Sequence, residues 1–208
     1  MLMFQNNEQP TTEARILEMA RLSGAIRRRD LVALGLEPGA ALHRLVRRGQ
    51  LARYGRGLYE LPGAAITEHH TLVEVAKRVP HGVICLLSAL QFHQLGTQWP
   101  HEVWIAIDRK AHRPQLDYPR LRIYRFSGAA REAGIETHIL EGVPVRVYGA
   151  AKTVADCFKY RHKIGLDVAL EALHEYIRKR PDTIDALWRC AQVCRVANVI
   201  RPYAEASL

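Results

Sequence analysis

Residues 38–49 read PGAALHRLVRRG, and this stretch decides how the first part of the chain folds. Proline suits the first turn of a helix, and glycine suits the position just after its end. Between them, Leu42, Leu45 and Val46 recur at helical spacing and predict one apolar face. The basic side chains fall on the opposite face. The sequence therefore predicts an amphipathic helix over residues 40–48 that packs through one face and presents the other to solvent.

The segments on either side of this helix complete a small module. Upstream, residues 12–22 and 28–34 predict two helices, the first capped by a threonine. Downstream, residues 51–54 and 58–61 alternate in polarity around a turn that contains glycine, which predicts a β-hairpin. Three helices followed by a hairpin is the order of a winged helix-turn-helix, in which the third helix enters the major groove of DNA.

The positive charge of the chain is concentrated in this module. The 208 residues include 30 Lys and Arg against 21 Asp and Glu, which gives a net charge of +9. Between residues 21 and 56 there are nine arginines and only two acids, so this segment alone carries +7. The first 65 residues contain no lysine. Arginine binds phosphates and guanine edges through a planar, bidentate fork, and the composition therefore indicates duplex DNA as the partner.

Arg44 and Arg47 lie opposite the apolar stripe of the central helix and are predicted to contact base edges or nearby phosphates. The neighbouring His43 and Arg48 are predicted to contact the DNA backbone. The full set of predicted DNA-binding residues is Arg27, Arg28, Arg29, Ala40, His43, Arg44, Arg47, Arg48, Arg53 and Arg56. The alternative is a solvated basic face on a small helical domain. Three basic segments that converge in one small fold favour DNA binding.

The rest of the chain predicts a mixed α/β domain. Helices are expected over 67–79, 88–95, 150–160, 166–178 and 183–199, and strands over 103–107, 121–126, 135–140 and 143–147. The predicted fold class is α+β, with a winged helix-turn-helix domain over residues 1–65 and a mixed α/β effector domain over residues 66–208. The boundary between the two domains is predicted near Pro62 to Ile66. The polar N-terminal segment, Met1 to Pro10, is expected to lack regular structure.

The sequence resembles the AbiEi family, the antitoxins of type IV toxin–antitoxin systems. In the N-terminal module, residues 42–51 (LHRLVRRGQL) and 55–59 (GRGLY) carry the resemblance. In the second domain it rests on residues 87–97 with the strand after them, and on residues 151–166. This last stretch, which begins AKTVADCFKYR, is the most specific, whereas a winged helix is common to many regulators.

The resemblance implies a cytoplasmic repressor that binds inverted repeats in the promoter of its own operon. It also implies a C-terminal domain that counteracts a nucleotidyltransferase-like toxin and assists cooperative DNA binding. The expected state is a monomer in solution that binds DNA cooperatively or as a dimer, without a cofactor. The alternative is a stand-alone winged-helix regulator whose C-terminal domain senses a ligand or forms oligomers.

Five charged residues crowd one part of the second domain and form a predicted functional patch: Lys152, Asp156, Lys159, Arg161 and Lys163. Lys152 and Asp156 are spaced i,i+4, so they can pair across one helical turn. The other three form a basic end that suits DNA or an acidic partner. The alternative without a functional role is a structural ion pair beside solvated basic side chains.

An enzymatic or metal-binding role is disfavoured by the sequence. A nuclease needs clustered carboxylates, and Asp108 has only Glu136 and Glu141 as distant candidate partners. Cys190 and Cys194 share a helix face but lack a paired metal-ligand element, so core packing is the expected role. The four cysteines are too scattered for a disulfide framework, and no apolar run is long enough for a membrane span. We therefore expect a non-enzymatic, cytoplasmic protein that binds no metal.

Overall fold

A computed structural model describes residues 11–23, 25–55, 57–62, 67–179 and 183–207. The polar N-terminal segment, Arg56 and residues 63–66 of the predicted boundary lie outside the described residues. Contacts divide the chain into two compact units. The first comprises Met1–His70 with Ile139–Val143, and the second comprises Thr71–His138 with Pro144–Leu208.

The first unit is built from three helices and a small antiparallel sheet. In chain order its elements are α1 (Thr12–Ser23), β1 (Ala25–Arg27), α2 (Arg28–Ala33), α3 (Pro38–Arg47), β2 (Ala52–Gly55) and β3 (Leu58–Glu60). The strand order is β1-β3-β2. The amide of Ala14 donates to Thr11 Oγ1 at 3.2 Å, so the predicted threonine cap is present.

A compact apolar core holds the first unit together. Ile16 on α1, Leu31 on α2 and Leu45 on α3 are fully buried and meet in one cluster. The predicted stripe of α3 is shifted slightly, because Ala41 and Leu42 are buried while Val46 is half-buried. The sequence did not predict strand β1, which the structure adds to the winged-helix module. The three-residue strand β1 pairs with β3, where the sequence indicated only the approach to the second helix.

The second unit surrounds a five-stranded sheet. The elements after β3 are α4 (His70–Arg78), β4 (Val83–Ile84), α5 (Leu86–His93), β5 (Val103–Asp108), β6 (Leu121–Phe126), α6 (Ala129–Glu132), β7 (Ile135–Leu140), β8 (Val143–Tyr148), α7 (Ala150–Lys159), α8 (Arg161–Ile164), α9 (Leu166–Lys179), α10 (Ile184–Cys194) and α11 (Ala197–Glu205). The strand order is β6-β5-β4-β8-β7. The predicted α+β class is confirmed.

The second unit is mixed in strand direction, since β4 runs antiparallel to β5 but parallel to β8. Helix α7 is its central helix and packs against α5, α9 and α10. The predicted single helix over residues 183–199 is wrong. Arg195 adopts a left-handed conformation, with a φ of 60°, and ends α10 before α11 begins. Among the described residues, no helix has the length and apolar character needed to cross a membrane.

Candidate nucleic-acid interface

Helix α3 presents a basic face to solvent. We use the term basic face for His43, Arg44, Arg47 and Arg48, whose side chains are all exposed. Ala40, near the start of the helix, is exposed beside them. The opposite face packs in the core through Leu42 and Leu45, which are at most 1% exposed. The predicted two-sided helix is therefore present: one face packs in the core, and the other is exposed.

Two arginines of the basic face share one carboxylate from α1. Nε of Arg44 donates to Oε1 of Glu13 at 2.5 Å, and Nη1 of Arg48 donates to Oε2 of the same residue at 2.9 Å. The hydrogen bond from Arg44, more than any other contact, holds the pKa of Glu13 below its usual value. Sequence reasoning missed Glu13, because 31 residues separate it from Arg44 and only the packing of α1 on α3 brings them together.

The other two members of the basic face stand apart from this ion pair. Within the described ranges, neither His43 nor Arg47 forms an ion pair or a side-chain hydrogen bond. A guanidinium has five N–H donors and no acceptor, so an exposed Arg47 is equipped for phosphate oxygens or a guanine edge. Arg47 is therefore the most available arginine of the helix.

The second helix and the wing supply further arginines. Arg28 begins α2, and its amide donates to the carbonyl of Gly57 in the wing turn at 2.9 Å, which joins the two predicted phosphate-contacting segments. The side chain of Arg28 is exposed. Arg29 is exposed too and lies 3.5 Å from Asp30. Arg27 differs from both, since it ends β1 and is half-buried.

Within the described residues, the wing contributes one arginine, Arg53. Arg53 lies on β2, is exposed, and stands opposite Tyr59 in the strand register. Arg56, predicted for the same hairpin, lies outside the described residues. Gly57 takes a positive φ of 73°, a conformation that glycine adopts without strain, so the tight turn needs this residue.

The predicted patch of the second unit is divided by the structure. Lys152 and Asp156 are buried, with side chains 0% and 1% exposed, and cannot belong to a surface. Lys159 and Lys163 are exposed. Arg161 is half-buried and donates to the carbonyl of Phe158 at 2.9 Å. The five residues therefore do not form one patch, and only the basic end at the junction of α7 and α8 faces solvent.

The buried pair of α7 sits in an aromatic and thiol environment. Nζ of Lys152 lies 2.5 Å from Oδ2 of Asp156 and 4.2 Å from the ring centroid of Tyr148. The thiol of Cys194 donates to Oδ1 of Asp156 at 3.3 Å. Burial raises the pKa of Asp156, and Lys152 opposes that effect. The i,i+4 pairing is as predicted, and its role is structural because no solvent reaches it.

The carboxylates weighed for metal-dependent chemistry each have their own partners. Asp108 lies 3.7 Å from Arg131 and accepts the amide of Lys110 at 2.8 Å. Glu141 accepts the amide of Thr67 and lies 2.8 Å from Nδ1 of His70. In the part of the chain that the structure describes, no three His, Cys, Asp or Glu side chains are grouped to hold a metal ion. Cys194 is buried and Cys190 half-buried, and both are free thiols.

The first unit defines a winged helix-turn-helix with a basic recognition helix, a class of transcription regulators that bind DNA. Residues 14–62 match the family model described as a transcriptional regulator, AbiEi antitoxin. This match lies within the N-terminal module, and the predicted resemblance to the AbiEi family is confirmed for these residues.

One solved structure is similar in fold over most of the chain. The crystal structure of the RV2827C protein from Mycobacterium tuberculosis is similar with a TM-score of 0.52 and 14% sequence identity. The match covers 94% of this chain and 81% of that one. At this identity the likeness concerns the fold alone. No curated protein matches the sequence.

Proposed function

We propose that this chain is a DNA-binding transcriptional repressor that acts as the antitoxin of a type IV toxin–antitoxin system. It represses its own operon by binding inverted repeats in the promoter, and it counteracts a nucleotidyltransferase-like toxin. The observation that carries the proposal is the basic face of α3, which is exposed directly opposite the buried Leu42 and Leu45. We propose no catalytic step and no cofactor for this role.

The dimensions and chemistry of α3 suit the major groove. A helix with side chains is about 10–12 Å across, and the groove is about 12 Å wide. Ala40 is small, so the start of the helix can approach the base pairs closely. Arg44 and Arg47 follow at positions four and seven residues further on, which places them on the same face. They are assigned to base edges or adjacent phosphates, and His43 and Arg48 to the backbone.

Three further arginines of the first unit are assigned to the phosphates on either side. Arg28 and Arg29 lie in the first turn of α2, and both side chains are exposed. Arg53 places a guanidinium on the wing strand. Phosphate contacts of this kind set affinity and register without reading sequence, and they make binding depend on salt.

Repression of the native promoter tests the first half of the proposal. A reporter driven by the DNA upstream of this gene should be repressed by the wild-type chain and released by the double substitution Arg44→Ala and Arg47→Ala. The matched control is Arg109→Ala with Arg113→Ala, which removes the same charge from exposed positions of the second unit. Equal release by both pairs, or by neither, would contradict base reading by α3.

The toxin half of the proposal has a separate test. The protein encoded next to this gene should arrest growth when expressed alone, and co-expression of this chain should restore growth. We assign part of that action to the exposed basic end of the second unit, because Lys159 and Lys163 suit an acidic partner. Replacing both by alanine should weaken protection while repression is retained. Growth arrest that the wild-type chain fails to relieve would contradict the antitoxin assignment.

A ligand-sensing regulator is the second candidate, and a cavity of about 350 Å³ in the second unit favours it. Its polar lining includes Glu136 and Arg189, and small residues such as Gly134 and Gly149 form part of the wall. A chain that represses its promoter but protects against no neighbouring protein, and whose repression changes with a metabolite, would favour this candidate over the antitoxin.

A further inference from the structure

Glu13 occupies an unusual place for an acid in a module so rich in arginine. It lies in the first turn of α1, yet its carboxylate reaches the basic face of α3 and contacts two of its four members. One oxygen accepts from Nε of Arg44, and the other accepts from Nη1 of Arg48. The Glu13 side chain is only 21% exposed, whereas the two arginine side chains are 49% and 57% exposed.

These contacts change what each arginine can offer to DNA. With its Nε engaged, Arg44 keeps the two terminal nitrogens of its guanidinium, whose N–H groups can address a guanine edge. The side edge of the guanidinium, formed by Nε and one terminal nitrogen, is closed to a phosphate. The negative charge of Glu13 also offsets part of the positive charge that both arginines present to any DNA sequence.

We propose that Glu13 is a positioning residue that raises the sequence selectivity of α3. It holds the guanidinium of Arg44 in one orientation, and it withholds charge from random DNA. This inference rests on the proposed function, since it concerns how the same helix separates a preferred duplex from others. Selectivity is a difference between two affinities, and it rises when the affinity for the wrong partner falls.

Glu13→Gln is the variant that tests the proposal, because it removes the charge but keeps the size and a hydrogen-bonding oxygen. Glu18→Gln is the matched control: Glu18 lies on the same helix, is exposed, and carries the same charge. The probes are a duplex enriched by the wild-type chain from a randomised library and an unselected duplex of equal length. Binding is measured by fluorescence anisotropy over a series of salt concentrations.

The expected result for Glu13→Gln is a several-fold gain in affinity for the unselected duplex, with a smaller gain or a loss on the enriched duplex. The slope of log affinity against log salt for the unselected duplex should steepen by about 1, the value for one additional phosphate contact. Glu18→Gln should leave both the ratio of the two affinities and the slope close to wild type.

The outcomes separate this inference from the function on which it rests. If the wild-type chain enriches no sequence, the proposed function fails. If the wild-type chain is selective and Glu13→Gln has an unchanged or higher ratio of affinities, the proposed function stands and the positioning role of Glu13 is refuted. A change of equal size in Glu18→Gln would likewise refute it, because general charge would then account for the effect.

Discussion

Nε of Arg44 lies 2.5 Å from a carboxylate oxygen of Glu13 in the first unit, and Nζ of Lys152 lies 2.5 Å from a carboxylate oxygen of Asp156 in the second. The Arg44 side chain is 49% exposed, whereas Lys152 and Asp156 are sealed from solvent. The two contacts are equally short, but they differ in how accessible they are to a partner molecule. An exposed pair leaves the remaining N–H groups of its arginine within reach of a partner molecule, whereas a buried pair is inaccessible to one.

Burial also sets the energetic difference between the two pairs. An exposed ion pair contributes about 0–1 kcal/mol to stability, because water and salt screen it. Breaking a buried pair by removing one partner costs about 3–5 kcal/mol, because an uncompensated charge remains inside. We therefore assign the Glu13 pair to recognition and the Lys152 pair to the integrity of the second unit.

The largest effect is expected for Lys152→Met. This change leaves Asp156 buried without its cation, and it should lower the free energy of unfolding by about 3–5 kcal/mol at neutral pH. Urea denaturation measures the loss. The double variant Lys152→Met with Asp156→Leu should recover most of it, because no buried charge remains. If Lys152→Met loses no more stability than Glu13→Gln does, the distinction between the two pairs is wrong.

The pH dependence of that loss sharpens the same comparison. Burial raises the pKa of Asp156, and removal of Lys152 should raise it further. A carboxyl whose pKa is higher in the folded state binds more protons when folded, so its favourable contribution is present at low pH and is lost as pH rises. Lys152→Met should therefore lose less stability at pH 5 than at pH 8. Equal losses at both pH values would indicate that Asp156 is already neutral in the native protein.

A smaller effect is expected for Tyr148→Phe. The hydroxyl of Tyr148 donates to the carbonyl of Arg131 at 2.7 Å, and its ring lies beside the Lys152 ammonium. The substitution keeps the ring and removes one hydrogen bond, so the cost should be about 0.5–1.5 kcal/mol. Urea denaturation again measures it. A loss as large as that of Lys152→Met would mean that the hydroxyl, and not the ion pair, organises this core.

The last prediction concerns the accessibility of the four thiols, which labelling measures directly. Cys85, Cys157 and Cys194 are buried, and burial raises the pKa of each thiol, that of Cys194 to about 12. Cys190 is half-buried. A chromogenic disulfide reagent at pH 8 should therefore label Cys190 alone in the native protein and all four cysteines in urea. Cys190→Ala should abolish native labelling, and rapid native labelling of a second thiol would contradict the described core.

The sequence predicted the helices and strands whose periodicity is strong. Strands β6 and β7 match their predicted bounds, and α3 is displaced by at most two residues at either end. The three-residue strand β1 is too short to show alternation, so only its pairing with β3 reveals it. The break at Arg195 was missed because the apolar pattern continues through it, and only a residue with positive φ marks the end of α10.

The geometry of the basic face of α3 could be predicted from the sequence only in part. The exposure of Arg44, Arg47 and Arg48 follows from the spacing of the leucines of α3, which is a local property. The contact with Glu13 depends on helix packing and has no local signal. Likewise, the pairing of Lys152 with Asp156 follows from their i,i+4 spacing, but their burial follows from the helices packed against α7.

The central claim is that the basic face of α3 reads base edges, and the ratio of two affinities tests it most directly. Wild type and the double variant Arg44→Ala with Arg47→Ala are titrated against the enriched duplex and an unselected duplex at one salt concentration. A lost base contact costs about 1–3 kcal/mol of discrimination. We predict that the variant loses on the order of tenfold or more of the wild-type preference for the enriched duplex. Equal losses on both duplexes would contradict the claim and leave α3 with charge alone.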